Sequence, residues 1–389
     1  MLQLFLLLLP IAALAGWYYG YSQKREVQEK NEGNNVSPLH EDYFLGLNYL
    51  INEEPDKAVD VFIRMLEVNS DTVETHLALG NLFRKRGEVD RAIRVHQNII
   101  ARPKLAKSQR ILALSELSQD YFTAGFLDRA ERTLLELIEN SEETLSSYNY
   151  LLKIYEQQKN WRQAIDIAKK LHAISDFKMW TPIAYYYCEL AEHALAEGNR
   201  TEMYQNLKKA IHYDKNCVRA NMILGKLAKD KEDFKEALHS YKKVKEQKPQ
   251  FLSEVIDDIE YCYHKLNQEK EFKQYLENCL VATPQTPLIL KLSEYIKKYE
   301  GQDSAIEFLT RQFSKRFSFR GLCDLLQLYS ENAENDASGK LLQVEKFIAN
   351  FLANKPLYRC SNCGFSGRQL YWQCPGCKKW ATVMPNNDL

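Results

Sequence analysis

Residues 75–100 read THLALGNLFRKRGEVDRAIRVHQNII, two short helical patterns broken by one glycine. Leu77, Leu79, Leu82 and Phe83 supply the apolar stripe of a first helix, Gly87 turns the chain, and Ala92, Ile93 and Ile99 supply the stripe of a second. Gly80 and Ala92 lie twelve residues apart, and the same glycine-to-alanine step stands 34 residues earlier at Gly46 and Ala58. It returns at Gly225 and Ala237. Small residues at these positions let two antiparallel helices approach closely, where a larger side chain would wedge them apart.

A helix pair recurring at 34 residues is the signature of the tetratricopeptide repeat. In this frame the chain is all-α, with about eight repeats over 39–319, at 39–72, 73–106, 111–144, 145–178, 184–217, 218–251, 253–285 and 286–319. The third keeps Tyr121, Gly125 and Ala130, and the fourth keeps Tyr155, Trp161 and Ala164. The sixth closes on Pro249, a helix stop. The seventh carries Phe272 where a small residue is expected, and the eighth retains Ala305. A helical pair within 320–354, about 319–329 and 341–352, caps the array. Such arrays wind into a superhelix with a concave binding groove lined by first helices. That places Asn81, Arg84, Gln119, Lys153, Lys226 and Lys229 in a polar, partly basic partner-binding groove, although each also suits an ordinary solvent-facing position. Tyr185, Tyr186 and Tyr187 read as packing between layers.

The composition agrees. Of 389 residues 45% are hydrophobic, Gly and Pro number only 15 and 11, and Tyr reaches 23, which suits helices with aromatic packing. Lys+Arg and Asp+Glu both total 52, so no net charge advertises a nucleic-acid partner. Cys188, Cys217, Cys262, Cys279 and Cys323 sit singly in helical patterns as reduced core residues, which points to a reducing compartment. No protease, hydrolase, dinucleotide or P-loop motif is present, and no enzyme activity is expected.

The chain begins with an apolar run, LQLFLLLLPIAALAGWYY, with no charged side chain before Lys24. Eighteen residues reach about 27 Å as a helix, near the lower limit for a bilayer. A cleaved signal peptide, suggested by Ala13-Leu14-Ala15, needs a basic segment before the run, and none precedes it. Lys24, Arg25 and Lys30 instead follow it, so the positive-inside rule leaves the remainder in the cytoplasm, with Trp17, Tyr18, Tyr19 and Tyr21 as an interfacial belt. Residues 1–21 are therefore expected to be a single transmembrane anchor and 22–38 a polar tether. The match Asn199-Arg200-Thr201 to a glycosylation sequon has no meaning in that compartment.

At the other end, Cys360, Cys363, Cys374 and Cys377 form two C-x-x-C knuckles ten residues apart. Four thiolates so arranged close a tetrahedral shell around one iron or zinc ion. Gly364 after the first knuckle allows positive φ, and Pro375-Gly376 tightens the second. Residues 355–389 are too few to fold by burial alone, so the metal supplies folding energy. Phe365, Tyr371, Trp372 and Trp380 are expected to shield the site and pack it on the last helices. The pattern resembles a rubredoxin-type knuckle pair, with a shorter loop between knuckles and Lys378 in place of the usual glycine. Four thiolates leave no open position for water, which argues against hydrolytic catalysis.

An apolar head, a tetratricopeptide array and a rubredoxin-like tail in this order resemble the lipopolysaccharide assembly protein B family of Gram-negative bacteria. LLPIAALAGWYYG, LGNLFRKRGEVDRAIRVHQ and YRCSNCGF…LYWQCPGCKKW carry the resemblance. It implies a single-pass inner-membrane protein facing the cytoplasm. It further implies an adaptor that promotes degradation of the UDP-acyl-N-acetylglucosamine deacetylase by the FtsH protease and organises other lipopolysaccharide-synthesis or transport proteins, with the four cysteines as metal ligands. A general assembly scaffold and an iron redox protein are the competing readings.

Overall fold

The computed structural model describes residues 73–387 except 104, 141–144, 177 and 333–334, with scattered positions from 44 to 61. The anchor expected at 1–21 and the tether at 22–38 lie outside the described residues. Among the described residues no helix is long and apolar enough to cross a membrane. The chain divides into two units, one up to Ile154 and one from Tyr155 onward.

The first unit holds α1 (Val73–Lys85), α2 (Val89–Ile100), α3 (Lys107–Thr123), α4 (Leu127–Asn140) and most of α5 (Leu145–Gln158). The second continues with α6 (Trp161–Ile174), α7 (Trp180–Ala196), α8 (Arg200–Tyr213), α9 (Val218–Asp230), α10 (Phe234–Gln247), a 3₁₀ turn (Pro249–Glu254), α11 (Ile256–Lys265), α12 (Glu269–Ala282), α13 (Thr286–Glu300), α14 (Gln302–Phe313), α15 (Phe319–Asn332) and α16 (Asn335–Ala353). These are tetratricopeptide-type antiparallel pairs. Beyond them, β1 (Tyr358–Cys360) pairs antiparallel with both β2 (Ser366–Gly367) and β3 (Val383–Pro385) in a small sheet of order β2-β1-β3.

One device turns the chain between the two helices of a pair. A residue with positive φ ends the first helix at Gly87, Gly125, Lys159, Gly198, Glu232 and Asn267. At the first of these, Gly87 N–H bonds Arg84 O at 3.0 Å and Glu88 N–H reaches back to Phe83 O at 2.9 Å. This is the Schellman closure, which satisfies carbonyls that the helix end leaves free. The left-handed step costs glycine little, and a side chain about 1–2 kcal/mol. Lys159, Glu232 and Asn267 tolerate it because the flanking helices are held by their own cores.

Close approach is the second device. A Cβ on Gly80 would overlap the imidazole of His96, and one on Gly225 would stand 2.5 Å from the Tyr241 ring. In each case a ring from the second helix fills the space the glycine leaves, then bonds an acid on the next pair's first helix. His96 Nδ1 meets Asp120 Oδ2 at 2.5 Å, and Tyr241 O–H donates to Asp258 Oδ2 at 3.0 Å. The same acids accept from a cation four residues beyond each glycine, Arg84 at 2.7 Å and Lys229 at 2.5 Å. Glycine, ring, acid and base thus lock successive pairs in register. Gly225→Ala is expected to lower stability by about 1–3 kcal/mol through overpacking against an aromatic ring. The midpoint of urea unfolding measures it, and an unchanged midpoint would show that Tyr241 swings aside freely.

The seventh repeat departs from the pattern. Its first helix starts as the 3₁₀ turn Pro249–Glu254 and continues only as the ten-residue α11. Phe272, the large residue at its small position, is buried against Tyr263 at 5.7 Å. Phe251 and Glu254 of the 3₁₀ turn are put to another use, described below.

Candidate metal centre and its docking face

The four cysteine sulfurs all lie within 4.8 Å of one another, at 3.8 Å for Cys360–Cys377 and 3.6 Å for Cys363–Cys374. A tetrahedral shell with metal–sulfur bonds of about 2.3 Å has sulfurs about 3.8 Å apart, so the set fits one zinc ion, or an iron ion with the same thiolate shell. The local backbone explains the fit. Cys360 ends β1, and the chain returns so that Gly364 N–H bonds Cys360 O at 3.0 Å, with Gly364 at φ 76°. The second knuckle repeats this, Lys378 N–H bonding Cys374 O at 2.9 Å. Lys378, the departure from the usual glycine, still takes positive φ, 58°. Gly376 serves by proximity: a Cβ there would lie 3.4 Å from Cys363 Sγ.

The knuckles also turn N–H groups toward sulfur. Burial would raise the Cys360 thiol, yet the Thr382 hydroxyl and the N–H groups of Cys363 and Asn362 outweigh it and bring it to about 6. Cys374, fully enclosed, is pushed up to about 11 by burial. A cation at the centre would override that burial and hold Cys360, Cys363, Cys374 and Cys377 as thiolates. Cys360, Cys363, Cys374 and Cys377 would hold one metal ion, which would cross-link the two knuckles and, with four thiolates, would leave no position for water.

Among the described residues the module's ring contacts and side-chain hydrogen bonds to the helices fall on the middle repeats, where the sequence suggested the last helices. Trp380 donates its indole N–H to Glu156 Oε1 at 2.7 Å, an oxygen that also accepts from Tyr186 at 2.7 Å. Its ring meets Trp161 at 5.9 Å, Tyr185 at 5.8 Å and Tyr186 at 5.5 Å. Trp372 stacks on Phe251 at 5.5 Å, with the Arg219 guanidinium 5.7 Å from its ring. Around these rings, Lys248 donates to Ala381 O at 3.0 Å, Tyr358 to Glu254 at 3.0 Å and Asn387 to Gln285 at 2.7 Å. The receptors come from α5, α6, α7, α9 and the 3₁₀ turn, so one small module ties several repeats together.

Electrostatics on this face are internally balanced. Arg219 is only 5% exposed, and although burial disfavours its charge, Glu189 at 2.6 Å and Glu192 at 2.8 Å hold it protonated. Burial lowers Lys248 and raises Glu254, each of which is hydrogen-bonded to the module.

The residues assigned to a groove are placed as follows. Arg84 bonds Asn81 at 2.9 Å and pairs with Glu116 and Asp120 between helices. Gln119 accepts from Tyr150 at 3.1 Å, and the Lys153 ammonium lies 4.9 Å from the same ring. Lys229 binds Asp258, and Lys226 is exposed. Within the first unit Asn81, Arg84, Gln119 and Lys153 are linked through the surroundings of Tyr150, which Arg84 reaches electrostatically, and Lys226 and Lys229 share α9 of the second unit. Glu156, Tyr185, Tyr186, Arg219, Phe251 and Glu254, which receive the module, were not singled out as a site. Consecutive tyrosines were the available signal, but they equally suit packing; Tyr187 does stack on Tyr213, at 5.5 Å.

The comparisons with known proteins follow this architecture. A family model described as a rubredoxin metal-binding domain matches residues 358–385, and a tetratricopeptide repeat model matches 75–108. Lipopolysaccharide assembly protein B of Escherichia coli (strain K12) is 35% identical over 390 residues, covering 100% of this chain and 99% of that protein. The protein of the same name from Haemophilus influenzae is 34% identical, covering 99% and 98%. Among solved structures, that of MamA is 21% identical over 44% of this chain and 94% of its own, with a TM-score of 0.34, too loose to add to the argument. With end-to-end identity to both named relatives and a knuckle pair that fits its metal, the chain belongs to the lipopolysaccharide assembly protein B family.

Proposed function

We propose that this protein is a membrane-anchored cytoplasmic adaptor of lipopolysaccharide assembly, without catalysis of its own. It promotes FtsH-dependent proteolysis of the UDP-acyl-N-acetylglucosamine deacetylase and gathers lipopolysaccharide-synthesis and transport proteins at the inner membrane. The observation that carries the reading is the end-to-end match to proteins named for lipopolysaccharide assembly. Physical support comes from the build: repeated helix pairs are binding scaffolds, and the metal module braces several of them at once. An adaptor that holds protease and client on one membrane raises their effective concentration by geometry alone.

Depletion of the protein tests this. The deacetylase half-life, followed by pulse-chase, should lengthen several-fold and lipopolysaccharide output should rise. An unchanged half-life with defective lipopolysaccharide assembly would move the reading to a general scaffold.

A further inference from the structure

The outer end of a repeat array needs a polar face to stay soluble, because no further repeat covers it. Here α16 presents the opposite. Val344, Phe347 and Phe351, at helical spacing, are 48%, 75% and 51% exposed. The stripe extends onto the preceding segment: Phe319 meets Phe351 at 5.9 Å and Phe317 at 5.0 Å, and both are themselves exposed. Isolated exposed apolar residues are ordinary, but a contiguous set of phenylalanines marks a contact surface.

Charge says what covers it. The Lys355 ammonium lies 4.1 Å from the Phe351 ring centroid, and Lys346 and Lys315, each next to this patch in the chain, are exposed. The nearby acids face elsewhere: Glu345 lies within electrostatic reach of Cys323 and Asp324 on α15, and Asp324 also feels Glu294 of α13. Rings flanked by lysines, with acids turned to the helix interfaces, match the boundary between acyl chains and anionic headgroups. A second copy docked there would set the same cationic rim against itself, Glu345 and Asp324 being engaged at the interface of α15 and α16.

We propose that the aromatic face formed by Phe317, Phe319, Phe347 and Phe351 docks on an anionic bilayer surface, the lysines meeting lipid phosphates. This contact is independent of the adaptor reading and adds a second membrane attachment at the C-terminal end of the helices.

The test is photocrosslinking of the full chain in vesicles of phosphatidylethanolamine and phosphatidylglycerol, with p-benzoylphenylalanine replacing Phe347 or Phe351. Both positions are exposed, so folding is preserved. Lipid adducts are expected at both, at least several-fold above a control at exposed Glu307. They should fall in phosphatidylcholine vesicles, and by about fivefold or more with Lys346→Glu and Lys355→Glu together. Adducts between two copies of the chain would overturn the proposal in favour of self-association, and lipid adducts no higher than the Glu307 control would overturn it outright. The deacetylase half-life plays no part, so either reading can fail alone.

Discussion

Cys374→Ser is expected to empty the metal site and unfold residues 358–385 while the helices stay folded. Cys374 is fully buried among the four sulfurs, and a serine hydroxyl neither reaches the centre as an anion at neutral pH nor matches the thiolate's softness. The three remaining cysteines cannot compensate, because the small sheet of β1, β2 and β3 buries little beyond Cys360, Cys374 and Val383. Structural zinc in peptides of this size supplies about 10–16 kcal/mol of folding free energy, more than any other single contribution in the module. Elemental analysis of the purified variant should fall from about one metal per chain to near zero. Trp372 and Trp380 emission should shift to the red as both rings enter water, with far-UV circular dichroism nearly unchanged. Full metal content would count against the four-cysteine shell.

Trp380→Ala should separate docking from folding. The metal shell is untouched, so metal content stays at wild type, but the module loses its ring contacts with Trp161, Tyr185 and Tyr186 and its hydrogen bond to Glu156. Truncating a buried tryptophan costs about 3–5 kcal/mol, enough to raise the undocked population by more than a hundredfold. Hydrogen exchange across 358–387 should accelerate, and a protease should cut sooner after Ala353. Wild-type protection would mean that Trp372, stacked on Phe251 beside Arg219, carries the docking. Together the two variants show whether a function that fails needs the metal, the docked arrangement, or both.

The parts legible in the sequence share one physical basis: they are written in local spacing. The Gly80-to-Ala92 step announces a close helix pair because only small residues admit it, and Gly80 does lie under His96. Two C-x-x-C knuckles announce a metal because the geometry of each belongs to four consecutive residues, and their sulfurs do converge. Lys378 stands where the pattern usually has glycine, yet it adopts the same left-handed turn, because the backbone bond to Cys374 O is what the knuckle requires.

Long-range pairing was not legible. Arg84 and Lys229 were read as groove cations from their place on first helices, and the acids that pair with them stand 36 and 29 residues further on. Nothing in the local pattern around residue 84 or 229 names that acid. The receptor for the tail posed the same difficulty, since Tyr185 and Tyr186 have the spacing of core residues and become a docking face only when Trp372 and Trp380 arrive from 187 and 194 residues away.

By itself, then, the sequence determined the repeat, its turns, the metal knuckles and the family, all set by contacts within one helix pair or one hairpin. The tertiary structure alone decided where the metal module sits. That choice depends on Glu156 offering a half-buried acceptor to an indole and on Arg219, held by Glu189 and Glu192, lying beside Trp372. Such complementarity belongs to surfaces assembled from several repeats, and no single stretch of chain contains it.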